Sequence, residues 1–210
     1  MLRIAHLNKF FVKRKKRGVL IVISSPSGAG KTTIAKKLVS KKLNIELSVS
    51  LTTRKPRSNE IDKVDYHFVS KKFFQTKIKQ KHFLEHAKVF DNFYGTSQKA
   101  IINQLSKGKN ILLDIDWQGA RQVRKKMPTD TVSIFILPPS LKVLKQRLMK
   151  RESSLAFVNN RMSKAKKEIA HWNEYDYVVV NKDLQKCLKE IKKILEIQKY
   201  KSSTKTILKF

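Results

Sequence analysis

The sequence is poor in acidic residues, cysteine, glycine and proline. Of its 210 residues, 16 are acidic, one is cysteine, six are glycine and five are proline. The single cysteine, Cys187, excludes an internal disulfide and is typical of a protein from a reducing compartment. No stretch approaches the roughly 18 consecutive apolar residues that a membrane helix needs. We therefore expect a soluble, cytoplasmic domain with no membrane partner.

The scarcity of acids leaves a formal net charge of +31, because 47 residues are lysine or arginine. A strongly basic chain is typical of nucleic-acid-binding proteins, but here the lysines are spread over nearly every predicted helix. We interpret the charge as a general lysine bias and predict no specific nucleic-acid partner. Nonspecific binding to polyanions at low salt is still expected. The sequence leaves the oligomeric state open, and a homo-oligomer is compatible with it.

Both ends of the chain are basic and free of acids. Residues 1–17 could be an organellar targeting segment, a nucleic-acid-binding arm or a disordered extension. Because this segment contains three arginines and no serine, we predict a disordered extension over 1–17. A basic tail is predicted over 201–210, which leaves a folded domain over 18–200.

Apolar, β-branched runs alternate with helical segments along the chain. Such runs predict buried parallel strands, and their alternation with helices predicts an α/β fold with a parallel sheet between helices. The predicted strands are Val19–Ser24, Asn110–Ile115, Thr131–Leu137 and Tyr177–Val180. Helices are predicted at Thr33–Lys42, Trp117–Lys126, Ser140–Arg151 and Leu184–Lys199.

Two regions interrupt this alternation and divide the predicted core into segments 18–47, 97–146 and 173–200. Residues 48–96 contain short alternating stretches, Tyr66–Ser70 and Phe83–Val89, which predict an inserted subdomain of mixed or antiparallel strands. Residues 147–172 are polar and helical with few apolar anchors. This second region is predicted to be a mobile lid.

A phosphate-binding loop is predicted between the first strand and the first helix. Two glycines would let backbone N–H groups converge on an anion, Lys31 would reach the β- and γ-phosphates of ATP, and the Thr32 hydroxyl would bind Mg²⁺. The helix N-terminus adds its positive dipole end. The predicted ATP-binding residues are Ser25, Pro26, Ser27, Gly28, Ala29, Gly30, Lys31, Thr32 and Thr33. Ser25 replaces the glycine with which the usual motif begins.

The inserted region has features expected of an acceptor site. Arg54 and Arg57 flank a proline-stiffened turn in a chain that has only ten arginines. A guanidinium group can bind two phosphate oxygens at once, which a lysine cannot do. The core strand that ends at Asp114 and Asp116 would lie beside the phosphates, where either carboxylate could bind Mg²⁺ through water.

Several motifs in order resemble those of guanylate kinases. They are SLTTRKPR from Ser50, DYHF from Asp65, FLEHAKVF from Phe83, YGT from Tyr94, ILLDIDWQGARQVRKKMP from Ile111, SIFILPPS from Ser133 and EYDYVVVN from Glu174. The resemblance covers about residues 18–198. It implies transfer of the ATP γ-phosphate to GMP, and to dGMP, with Mg²⁺ as cofactor.

The resemblance also implies residue roles. Arg54, Arg57, Tyr66 and Tyr94 would bind the GMP phosphate, and Ser50, Glu85, Thr96 and Asp114 would face guanine. Lys31 and the lid residues Arg147, Arg151 and Arg161 would be catalytic. Asn181 would approach adenine, and Thr32 and Asp116 would serve the metal. Nine residues separate Arg151 from Arg161, one fewer than the family spacing, which places the role of Arg161 in doubt.

Guanine chemistry agrees with the role implied for Glu85. A carboxylate can accept hydrogen bonds from N1–H and the N2 amino group together, whereas adenine offers no such pair of donors. Each residue also has a plain structural interpretation: Glu85 as a solvated strand residue, the two tyrosines as core aromatics, and the lid arginines as a solvated helix face.

Two other functions stay open at this level. A catalytically inactive module that binds peptides would keep the fold but lack a working phosphate loop, whereas Lys31 and Thr32 are present here. A kinase of another small acceptor, such as a sugar phosphate, would lack the set formed by Glu85, Thr96 and Asp114.

Overall fold

A computed structural model of the chain describes residues 17–41, 43–89, 91–150 and 154–204. The predicted extension over 1–17 lies outside the described residues except for Arg17, and so does the part of the predicted tail beyond 204. Within these ranges no helix is both long enough and apolar enough to cross a membrane.

The centre of the molecule is a five-stranded parallel sheet. Its strands, in spatial order, are β2 (Ile45–Leu47), β7 (Asn110–Asp114), β1 (Leu20–Ser24), β8 (Thr131–Leu137) and β9 (Tyr177–Val180). The four strands predicted from apolar runs are all present in this sheet, each within one residue of its predicted bounds. The predicted α/β fold with a parallel sheet is confirmed.

Helices cover both faces of this sheet because successive strand residues point to opposite sides. On β1, Ile21 and Ile23 pack against α1 (Lys31–Leu38) and α7 (Leu184–Thr204). Leu20 and Val22 point to the opposite face, toward α3 (Gln98–Ser106) and α4 (Trp117–Lys126). All four β1 side chains are buried, so β1 is the centre of the core.

Residues 48–97 form a second, mixed sheet. Its strands, in spatial order, are β4 (Tyr66–Phe68), β3 (Ser50–Thr52), β6 (Asn92–Ser97) and β5 (Phe83–Val89). β3 pairs parallel to β4, whereas β6 pairs antiparallel to both β3 and β5. α2 (Lys71–Lys79) lies between β4 and β5 in the chain and packs Phe74 onto the sheet beside Phe83.

The predicted lid region, 147–172, contains helix α6 (Leu155–Ile169), which packs against the preceding helix α5 (Leu141–Met149), most of which lies before residue 147. The two helices share a small apolar cluster built from Leu144, Leu148 and Val158. A short 3₁₀ helix, Trp172–Glu174, then leads into β9. α6 therefore starts from the end of α5 and returns to the edge of the central sheet.

Candidate active site

The phosphate-binding loop joins the carboxyl end of β1 to the first turn of α1. Gly28 and Gly30 have φ values of 90° and 100°, in the left-handed region that residues with a side chain seldom adopt. Gly30 is the residue immediately before α1, and the first residue of that helix is Lys31. The hydroxyl-bearing residues Thr32 and Thr33 are exposed in the first turn. The loop therefore presents its backbone, a cation and a hydroxyl at one helix N-terminus.

Lys31 lies across the ends of β1 and β7. Its ammonium group forms an ion pair with the carboxylate of Asp114 and donates to the carbonyl oxygen of Ile115 at 3.2 Å. The buried hydroxyl of Ser24 donates to the same carbonyl at 2.9 Å. These contacts hold the lysine at the carboxyl edge of the sheet, where ligands bind in folds of this kind.

Helix α6 contacts the loop at Ser27. A guanidinium N–H of Arg161 donates to the Ser27 hydroxyl at 2.8 Å, and the backbone N–H of Ser27 donates to the Glu168 carboxylate at 3.2 Å. Burial raises the pKa of Glu168, and the hydrogen bond from Ser27 partly offsets this rise. Arg161 thus reaches the loop despite its shortened spacing from Arg151, which itself lies outside the described residues.

Asn181 supports the loop from inside the molecule. It is 5% exposed, and its amide donates to the carbonyl oxygen of Ala29 at 2.7 Å. A Cβ atom at Gly30 would come within 2.6 Å of this amide, so Gly30 is required there for close packing as well as for its φ. Arg147 from α5 donates to the Asn181 backbone carbonyl at 3.1 Å. The loop, β9 and the lid are therefore connected through Asn181.

A chain of hydrogen bonds lines the opposite side of the cleft. The Thr96 hydroxyl lies 2.6 Å from Glu85 Oε1, to which it donates, and 3.0 Å from the Ser50 hydroxyl. Glu85 is 3% exposed, and this burial raises its pKa to about 7 from an ordinary value of 4.5. Asp116 raises the pKa further, whereas Thr96 and Lys126 lower it. The carboxylate is therefore buried, and no lysine, arginine or histidine in the described part of the chain forms a direct ion pair with it.

The Arg54 guanidinium lies over the rings of Tyr66 and Phe68, in the same sheet as these hydrogen-bonded residues. The guanidinium binds both carboxylate oxygens of Glu60, at 2.8 and 2.9 Å, and stacks 5.5 Å from the centre of the Tyr66 ring. Glu60 and Tyr94 raise the pKa of Arg54 through their hydrogen bonds to it, although burial opposes them. Tyr66 and Tyr94 meet edge to face at 6.1 Å. The predicted phosphate-binding residues Arg54, Tyr66 and Tyr94 are thus brought together.

Arg57 lies on the exposed turn next to this group. Its backbone N–H donates to Glu60 at 2.8 Å, and its side chain is exposed. Burial raises the pKa of Tyr66, and the next contribution comes from the negative charge of Asp114.

A divalent cation would find few protein ligands in this cleft. Asp116 caps α4, with its carboxylate accepting from the N–H of Gly119 at 2.9 Å, and Asp114 is paired with Lys31. Among the described residues no three His, Cys, Asp or Glu side chains are grouped for a metal. This donor set fits a cation that keeps most of its ligands as water and substrate phosphate, which Mg²⁺ does.

Three residues of the site were not predicted from the sequence. Glu60 lies six residues after Arg54, which it binds, and Glu168 contacts the loop from a distant part of the sequence. A Cβ atom at Gly119 would lie 2.6 Å from Glu85 Oε2, so this glycine lets α4 approach the buried carboxylate. The scarcity of acids was the available signal for the two glutamates, but it does not indicate their partners.

Known proteins with similar sequences and structures point to one family. The guanylate kinase family model matches residues 17–198. A guanylate kinase of Maricaulis maris is 47% identical over 188 residues, which are 89% of this chain and 86% of that protein. One from Bartonella quintana is 51% identical over 181 residues, or 86% and 81% of the two chains.

A solved structure agrees with these sequence matches. The crystal structure of guanylate kinase from Anaplasma phagocytophilum superposes with a TM-score of 0.73 and 39% sequence identity, covering 88% of this chain and 87% of that one. This match extends over both sheets and not only over the phosphate loop, which many unrelated enzymes share. The chain therefore belongs to the guanylate kinase family and is a kinase.

Proposed function

We propose that this chain transfers the γ-phosphoryl group of ATP to GMP, giving ADP and GDP. The observation that carries this proposal is the buried carboxylate of Glu85, which has no direct ion pair among the described residues, across the cleft from a phosphate loop with its lysine in place. Guanine would supply Glu85 with two N–H donors, from N1 and N2. Adenine would leave this buried acceptor without them, which costs about 1–3 kcal/mol.

The phosphate of GMP would meet the group formed by Arg54, Arg57, Tyr66 and Tyr94. Arg54 is already oriented by Glu60 and by the stacked rings. Arg57 carries an exposed side chain on the same turn, where it could fold over the acceptor. Since the assigned residues act on the base and the phosphate, we expect dGMP to be a substrate as well.

The triphosphate of ATP would lie on loop residues 25–32. Lys31 would exchange its contact with Asp114 for the transferring phosphoryl group, whose equatorial oxygens gain charge that the site must stabilise. The Thr32 hydroxyl, and Asp116 through water, would hold Mg²⁺. When bound, this ion would neutralise charge on the β- and γ-phosphates.

We assign the lid to residues 147–172, the acceptor-binding insertion to 48–96, and the core to the remaining parts of 18–200. Arg147, Arg151 and Arg161 would surround the transferring group and exclude water from it. Asn181 would serve ATP through the loop that it supports. We also propose a cytoplasmic location, on the basis of the single cysteine and the nucleotide substrates.

Replacing the loop lysine tests the mechanism. Lys31→Ala should lower kcat at least about thousandfold, because a charge that stabilises the transition state is removed. Lys37→Ala, on the exposed side of the same helix, is the matched control and should keep normal turnover. Turnover by Lys31→Ala within tenfold of the parent protein would contradict the proposed role of the loop.

A substrate panel tests the acceptor. Coupled assays with GMP, dGMP, AMP, CMP and UMP should give efficient turnover with the two guanine nucleotides alone. Equal kcat/KM values for GMP and AMP would refute the role given to Glu85, whatever the outcome for Lys31.

A further inference from the structure

The backbone around Glu85 is irregular and lies at the edge of a sheet. β5 is the outer strand of the second sheet, and of the strands that the structure describes only β6 pairs with it. The register between these strands shifts from Phe83↔Ser97 to Glu85↔Thr96, which makes Leu84 the extra residue of a β-bulge. Edge strands and bulges leave backbone groups without ladder partners. Groups outside the sheet must therefore supply hydrogen-bond partners to this backbone.

Two side chains of α4 supply the missing partners. The Lys126 ammonium group donates to the carbonyl oxygens of Phe83 and Leu84, at 3.1 and 2.7 Å. The Gln122 amide accepts from the His86 N–H at 3.2 Å and donates to the His86 carbonyl at 2.7 Å. Gln122 thus makes the pair of hydrogen bonds that a neighbouring strand would make.

These contacts lie on both sides of Glu85 and come from one face of a helix. Gly119, Gln122 and Lys126 are spaced by three and four residues, so they lie on the same side of α4. Gly119 allows this face to approach, because a Cβ atom there would lie 2.6 Å from Glu85 Oε2. The backbone is therefore held immediately before and after Glu85, and the helix passes against its carboxylate.

We infer that Gln122 and Lys126 are positioning residues for base specificity, because they hold the backbone on either side of the carboxylate that would read guanine. This inference deepens the proposed function and rests on the role of Glu85 proposed there. Neither side chain has to touch the nucleotide. Both act by restricting where the Glu85 carboxylate can lie, and a misplacement of a fraction of an ångström weakens two parallel hydrogen bonds at once.

Lys126 has a second effect, which Gln122 does not share. The charged groups that face Glu85 are Lys126, on α4, and Asp116, immediately before α4; the neighbour on β6, Thr96, is uncharged. The positive charge of Lys126 lowers the pKa of Glu85 and so favours the ionised form, the one able to accept from guanine. Removing this charge should therefore alter the pH dependence of GMP binding, not only its strength.

Two substitutions and two matched controls test the inference. Gln122→Met and Lys126→Met keep side-chain length but lose the hydrogen bonds, whereas Gln185→Met and Lys125→Met change exposed positions. Each α4 substitution should raise KM for GMP about tenfold, and should lower the preference for GMP over AMP by a similar factor. KM for ATP should change less than twofold. The two controls should match the parent protein in all three quantities.

The pH profile separates positioning from a general loss of structure. In Lys126→Met, the acid limb of kcat/KM for GMP should move to higher pH by about half a unit or more. It should stay in place in Gln122→Met and be restored by Lys126→Arg. Thermal unfolding shows whether each variant folds. If Lys126→Met does not, Lys126→Arg and Gln122→Met still provide the comparison, and if Gln122→Met does not, the two Lys126 variants provide it.

Glu85→Gln separates the proposed role of Glu85 from the positioning role of Gln122 and Lys126. If Glu85→Gln loses the preference for GMP while both α4 substitutions keep it, the positioning inference is overturned and the proposed function stands. If Glu85→Gln itself keeps the preference, the role of Glu85 fails, and the inference fails with it.

Discussion

At the scale of single residues, Glu85 has the clearest conflict between stability and function. Burying a carboxylate without a direct ion pair is unfavourable, and the raised pKa expresses this cost. The hydrogen bond from Thr96 offsets only part of it. A protein selected for stability alone would place a neutral side chain here. The retention of the carboxylate is consistent with a ligand that supplies the remaining donors.

Glu85→Gln should make the unliganded protein more stable at alkaline pH. The folded-state pKa of about 7 lies above the ordinary value of 4.5, so the folded state binds more protons between these values. Stability is therefore lost as pH rises from 4.5 through 7, by about 3 kcal/mol in total for this group. Glutamine cannot ionise and should escape this loss.

Urea unfolding at pH 4.5 and pH 8 checks this expectation. The two proteins should differ little at pH 4.5, whereas Glu85→Gln should be the more stable at pH 8. Glu190→Gln, at an exposed position on α7, should show no such change. An advantage of Glu85→Gln that is the same at both pH values would contradict ionisation as its cause.

At the scale of elements, the strands and helices that could be predicted from the sequence are those with a clear pattern of apolar residues. Strands β1, β7 and β8 are mostly buried, so their apolar runs predict them within a residue; the edge strand β9 has an equally apolar run, although Val178 and Val180 are exposed. β2 and β3 have three residues each, too few to form a recognisable pattern. Helix α2 buries only Phe74 and was missed, although Ser70 caps it by accepting from the Phe73 N–H at 3.1 Å. Tertiary packing, not local pattern, determines these elements.

The candidate site divides in the same way. Lys31, Asp114 and the loop could be predicted because they follow buried strands at a characteristic spacing. Glu168 and the α4 face could not, because their roles depend on which elements come together in three dimensions. Glu60 binds Arg54 within one local turn, but an acid in a turn does not by itself indicate that pairing. Nothing in the sequence around Gln122 indicates that its side chain hydrogen-bonds to the edge strand β5.

Helix α6 occupies a backbone donor of the phosphate loop. The Glu168 carboxylate accepts from the Ser27 N–H, a backbone donor of the kind that phosphates bind, and places negative charge beside Lys31. Glu168→Gln should therefore lower the apparent Kd for ATP, by about two- to fivefold, since a charge-assisted hydrogen bond becomes a neutral one. Equilibrium titration with a nonhydrolysable ATP analogue measures this change.

A control substitution must show that the change in ATP affinity comes from the position of Glu168 and not from the loss of one negative charge. Glu190→Gln removes one negative charge far from the loop in sequence, on α7, and should leave the Kd for the analogue unchanged. Weaker binding of the analogue to Glu168→Gln would show that Glu168 assists the nucleotide instead of competing with it.

At the scale of the whole molecule, one segment joins the two halves of the cleft. β7 lies between β1 and β2 in the central sheet and ends at Asp114, the partner of Lys31. The chain then turns at Asp116 into α4, whose far side holds β5 of the second sheet. The side of the cleft with the phosphate loop and the side with Glu85 are thus both held by one continuous segment, residues 110–126. This connection suits a reaction in which two substrates must be aligned in line.

The net charge of +31 should act through the surface as a whole and not through a built nucleic-acid site. A distributed charge binds polyanions by releasing their counterions, so affinity depends steeply on salt and little on sequence. We expect binding to single-stranded RNA to weaken at least about hundredfold between 50 and 200 mM salt. Poly(A) and poly(U) should bind within about threefold of each other, since no base is read. Fluorescence anisotropy over a salt series measures both quantities. Binding that resists salt, or that prefers one sequence strongly, would contradict a diffuse origin and point to a specific groove.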